Sequence, residues 1–157
     1  MKRTTRQVAI CRILLALILL FIWGNSVLPA EMSDALSDWV RDVLQGFFPV
    51  DGEPAQEGTH LLRKMAHFLE FACLGACLCW RFGMAECQRV KAALYPLLSG
   101  AAVACIDETI QFFVSGRHSS WLDVGIDTAG VLGGLILLMT GYYLKTRILQ
   151  KIKQQRR

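Results

Sequence analysis

Three polar side chains stand at helical spacing inside an apolar run. Arg63, His67 and Glu70, in "RKMAHFLEFACLGACLCW", are separated by four and then three residues. On a helix of about 3.6 residues per turn this spacing places all three on one stripe, whereas Lys64 falls off it and can snorkel outward. A second group follows at Asp107, Glu108 and Gln111, where at least one carboxylate shares a face with the amide. A third, Asp123, Asp127 and Gly130, repeats the spacing of the first, and the turn before it, "SGRHSSWLD", supplies Arg117 and His118. Forked guanidinium donors suit phosphate or carboxylate. An imidazole flanked by carboxylates suits general-base or nucleophilic chemistry, and clustered carboxylates suit a hard divalent cation.

Each residue also has a purely structural use. Ser120 to Asp123 is an S-x-x-D pattern that would cap a following helix. Arg63 near a helix end could simply reach water, and the groups together could be a polar lock between helices.

The elements that must hold these groups are membrane helices. A chain of 157 residues that is 54% hydrophobic is greasier than a soluble domain of its length. Four apolar segments, at about 8–28, 61–82, 95–113 and 121–143, each approach the ~20 residues that cross a bilayer. The first could instead be a signal peptide, but no clean small-x-small cleavage pattern follows it, so it is expected to stay as a helix. The expected fold is therefore all-α, one polytopic membrane domain over residues 1–157.

Thirteen of the 17 lysines and arginines lie at the N-terminal end, in the second connection and in the tail, while the first connection, 29–60, carries Arg41 against seven acids. Both termini are expected on the cytoplasmic side of the bacterial cytoplasmic membrane. The basic residues form separate blocks between apolar runs and not a patch, which argues against nucleic acid. With about 1.5 Å of rise per residue, the three polar groups then fall in one layer in the outer half of the bilayer. In the first connection, "SDALSDWVRDVLQGFF" sets Leu36, Trp39, Val40, Val43, Leu44 and Phe47 at helical spacing. It predicts an amphipathic helix over about 33–47, capped by Ser33, that lies on the outer membrane surface or packs over the bundle. The six cysteines include no C-x-x-C pair and read as small apolar fillers.

A charge deep in a bilayer costs at least ~2.5–3.5 kcal/mol. Glu70, Asp107, Glu108, Asp123 and Asp127 outnumber Arg63 and Arg117, so protons, a divalent cation or a cationic substrate group must meet the excess. If a metal is bound, Glu70, Glu108 and Asp123 are the expected oxygen donors.

At these same residues the chain resembles the VanZ-like family of small bacterial membrane proteins, named for a factor that lowers susceptibility to the glycopeptide teicoplanin. The matching pieces are "NSVLP", "RKMAHFLEF" and "DETIQFFVSGRHSSWLDVGIDTAGVLGG", with the four-helix spacing between them, over residues 8 to 143. Family members commonly carry asparagine or aspartate where Asp127 stands. The resemblance implies an envelope role with Arg63, His67, Glu70, Glu108, Gln111, Arg117, Asp123 and Asp127 as the shared polar set.

Three functions compete. The first is an outer-leaflet site that binds or transports a lipid headgroup or lipid-linked envelope precursor, with Arg63, Gln111, Arg117, Asp123 and Asp127 holding the ligand. The second is an intramembrane hydrolase or transferase on phosphate-containing envelope lipids, with His67, Glu70 and Glu108 as candidate catalytic groups, although no G-x-S-x-G or H-E-x-x-H motif is present. The third is a scaffold whose polar layer is structural. Four helices are few for alternating access, so a transport role would call for a homodimer.

Overall fold

The computed structural model describes residues 5–47, 55–83, 89–117 and 119–155. They form five helices, α1 (Thr5–Ser26), α2 (Ala30–Phe47), α3 (Ala55–Gly83), α4 (Arg89–Phe112) and α5 (Trp121–Gln155), and no strand occurs among them. Four of the five, all but α2, are long and apolar enough to cross a membrane. His118 lies outside the described residues.

The α1 carboxyl end, the first half of α3, the carboxyl end of α4 and the start of α5 meet at one end of an up-and-down bundle. Polar contacts join them there: Ser26 to Asp107, Asn25 to Glu70, and Lys64 to Asp123. Beyond that end the interior turns apolar, with Ile22, Phe71, Leu74, Leu78, Ala104 and Val131 buried together. Large apolar side chains such as Leu17, Leu20, Phe21, Leu98, Ile136 and Leu137 are exposed on the outside, as expected of a surface solvated by lipid. The second half of α5 continues the helix through Lys145, Arg147, Lys151 and Lys153, and all its side chains from Gly141 to Gln155 are exposed.

Close backbone approach holds α3 against α5, the most extensive helix pair. A Cβ added to Gly134 would fall on the Ala72 carbonyl oxygen, one added to Gly130 on that of Phe68, and one added to Gly75 on that of Val131. The small-residue surface is thus two-sided, since α3 contributes a glycine of its own. In lipid, where apolar surfaces gain nothing by leaving the solvent, this contact is what dispersion can use.

Two end signals differ from expectation. α2 starts three residues before Ser33, where the Pro29 carbonyl accepts from the amides of Met32 and Ser33. Ser33 is therefore within the first turn and does not cap it; its own carbonyl accepts from the Ser37 hydroxyl. At α5, Ser120 does cap, its Oγ accepting from the Leu122 amide at 3.1 Å, but Asp123 does not return the bond. The Ser120 amide instead donates to Glu108 Oε2 at 2.9 Å, so a side chain from α4 closes the cap of α5.

Candidate functional site

At the polar end, α4 presents two carboxylates in opposite senses. Asp107 is completely buried: its Oδ1 accepts from the Ser26 hydroxyl of α1 at 2.6 Å and its Oδ2 from the Gln111 amide at 2.8 Å. Glu108, one residue and about 100° of helix later, faces α5 and the Ser120 amide. Both acids of the "DE" pair therefore belong to the polar layer, Asp107 as its most deeply buried carboxylate.

Arg117 binds the network together from the α4–α5 turn. Val114 to Arg117 form a tight turn closed by the Arg117 amide on the Val114 carbonyl, and Gly116 takes a φ of 76°, a value that its third turn position demands and that favours glycine. From there the guanidinium donates to the carbonyls of Asn25 (2.9 Å) and Leu28 (3.2 Å) and, at 3.4 Å, to Gln111 Oε1. The last contact fixes which way the Gln111 amide points, and hence its bond to Asp107. Burial, and next the nearby Arg63 charge, push the Arg117 pKa down, while the facing carboxylates oppose that shift.

The other cations are also engaged. Arg63 Nη1 meets Asp34 of α2 at 2.8 Å, which ties α2 over the mouth of the site. Lys64 does not snorkel away: its Nζ lies 3.3 Å from Asp123 Oδ1, an ion pair whose geometry makes no hydrogen bond. On α3, Glu70 Oε1 accepts from the Asn25 amide at 2.8 Å and His67 Nδ1 stands 3.9 Å from Asp107 Oδ2, beyond hydrogen-bonding range. Asp127 is buried, and among the described residues its Oδ2 accepts no hydrogen bond.

Arg63, Lys64, His67, Glu108, Gln111, Arg117, Asp123, Ile126 and Asp127 enclose a cavity of about 40 Å³. Seven of the eight candidate site residues thus line one space, and Glu70 stands outside its lining, toward α1. Next to it a larger groove of about 290 Å³ runs along α4 and α5, lined by Cys105, Thr109, Phe112, Phe113, Trp121 and Val124. Glu108 lines both.

A family model described as VanZ/LLP1 matches residues 11–144. The chain belongs to the VanZ/LLP1 family. No curated protein and no solved structure matches it. In this VanZ/LLP1 chain the "NSVLP" piece acquires a physical role, because Asn25 and Ser26 supply the α1 donors to Glu70 and Asp107. Nothing in the sequence alone assigns Asn25, Ser26 or Asp34 to the site, and Lys64 falls off the stripe that marks its neighbours. The available signal was a polar pair ending an otherwise apolar span. Among the described residues, His67, Asp107 and Asp127 each offer a potential ligand atom within 4.8 Å of the others, a grouping distinct from Glu70, Glu108 and Asp123.

Proposed function

We propose that this protein binds the phosphate-bearing headgroup of a membrane lipid, or of a lipid-linked envelope precursor, at the outer face of the bacterial cytoplasmic membrane. The observation that carries the reading is the junction at Glu108. On one side lies a small charged cavity, on the other an apolar groove walled by the exposed rings of Phe112, Phe113 and Trp121. A polar chamber that shares its Glu108 wall with an apolar groove suits an amphiphile, with its head in the first and its chain along the second.

The cations divide into two roles under this reading. Arg117 is spent on backbone carbonyls and holds the wall, whereas Lys64, whose pairing with Asp123 lacks a hydrogen bond, is free to exchange that partner for a phosphate oxygen. Arg63 at the rim can do the same at the expense of Asp34. The acidic first connection, against basic residues at the other ends of the helices, supports an outward site with cytoplasmic termini. An altered response to teicoplanin-type glycopeptides would follow where the bound lipid is a cell-wall precursor.

Native mass spectrometry of the purified full chain tests the proposal. The wild type is expected to carry a phosphate-containing lipid that Lys64→Ala loses by at least tenfold and Phe113→Ala weakens less. Retention no greater than that of an unrelated four-helix membrane protein, or equal retention by Lys64→Ala, would overturn it.

A further inference from the structure

We propose that His67, Asp107 and Asp127 form a binding site for one divalent first-row transition-metal ion of the Mn²⁺ or Zn²⁺ class, on the buried side of the polar cavity. The three residues come from three helices, α3, α4 and α5, and each places a ligand atom within 4.8 Å of the other two. Donors at ~2.1 Å from a tetrahedral ion stand ~3.4 Å apart. The 3.9 Å between His67 Nδ1 and Asp107 Oδ2 needs only a small contraction to reach that spacing.

Independent of this spacing, two of the three carry buried polar atoms that no group among the described residues satisfies. Asp127 is 2% exposed and its Oδ2 accepts no hydrogen bond among the described residues; the Nδ1 atom of the less buried His67 ring is itself shielded and likewise finds no partner among them. Such orphaned atoms are costly in a medium without water, and an ion that both can coordinate removes that cost.

Asp107 is held in the manner of a metal-binding carboxylate. Ser26 and Gln111 donate one bond to each of its oxygens, leaving a lone pair on each for coordination, and Arg117 in turn fixes Gln111. One imidazole with two carboxylates favours ions that accept both nitrogen and oxygen, which separates this class from Mg²⁺ and Ca²⁺. Charge agrees as well. Among the described residues, six carboxyl groups in this layer, Asp34 included, stand against Arg63, Lys64 and Arg117, and a divalent ion would offset most of the excess.

The site stands on this geometry and not on the lipid reading, so its test excludes phosphate. Chelator-stripped full-length protein in maltoside micelles is titrated with Mn²⁺ and followed by loss of the free-ion electron paramagnetic resonance signal. Saturation at one ion per chain is expected, displaced by Zn²⁺, with affinity at least tenfold lower in His67→Ala and Asp127→Ala and unchanged in Asp38→Asn on α2. The bound ion in the wild type should also show the ¹⁴N coupling of a directly ligated imidazole, a readout that does not depend on any variant folding. Absence of saturable binding, absence of that coupling, or undiminished affinity in a folded Asp127→Ala protein would overturn the proposal. Lipid retention measured separately under chelator shows whether the headgroup reading stands without the metal.

Discussion

Arg117 reports how much one side chain can organise here. Its fork reaches two carbonyls at the end of α1 and the amide oxygen of Gln111 in a single rotamer, which a lysine ammonium cannot reproduce. Arg117→Lys is therefore expected to lower the stability of the detergent-solubilised protein by about 1–3 kcal/mol, nearly as much as Arg117→Ala, because the part-buried carbonyls of Asn25 and Leu28 and the Gln111 amide oxygen lose their guanidinium donors together. Thermal unfolding of the two variants side by side checks this. A lysine variant as stable as wild type would mean that charge alone matters at the position. The arginine was legible in the sequence as a functional candidate, but its structural task was not. Its partners are backbone atoms 89 and 92 residues away, and a backbone carbonyl leaves no mark on residue type. Asn25 and Ser26 were obscure for a related reason, since the partner of each lies on another helix. The stripes of Arg63, His67 and Glu70 and of Asp123 and Asp127 were readable because both ends of the pattern lie on one element.

Between elements, the α3–α5 contact sets the position of two of the three proposed metal ligands, because His67 lies on one helix and Asp127 on the other. Gly130 and Gly134 press on backbone carbonyls of α3, whereas a Cβ on Gly133 would meet only the tip of Phe68 at an ordinary 3.5 Å. Gly134→Val is expected to force the helices apart at a cost of at least about 1–3 kcal/mol. Gly133→Ala should stay within about 0.5 kcal/mol of wild type. Comparing the folded fraction of the two variants by size-exclusion chromatography and thermal unfolding decides the matter, and equal losses would show that the close approach is not what holds the pair. Four spans and their order were evident from apolar length. The particular glycines in contact were less so: the sequence marks 130, 133 and 134 alike, and only the rotation of α5 about its axis separates the pressed pair from the third.

Across the whole molecule, charge and helix length bear on how the bundle sits in its membrane. At about 1.5 Å per residue, the 35 residues of α5 reach roughly 50 Å, well past a ~30 Å hydrocarbon core. The exposed, lysine- and arginine-bearing part from Lys145 onward therefore has to stand in water or among headgroups on the side opposite the polar site. At the other end α2 shows two faces. Asp34 is tied to Arg63, while Met32, Leu36, Trp39 and Val43 point away from the bundle, with Trp39 still 64% exposed. An apolar face that no described helix covers would be satisfied if α2 lay along the headgroup boundary, with Trp39 facing the acyl chains. Both features lead to the same experiment in a background freed of native cysteines. A cysteine introduced at Asp38, on α2, is expected to react with a membrane-impermeant maleimide added to intact cells. One at Lys151 should react only after the membrane is opened. The reverse pattern would invert the topology and turn the cavity toward the cytoplasm, and with it the leaflet from which any lipid headgroup must come.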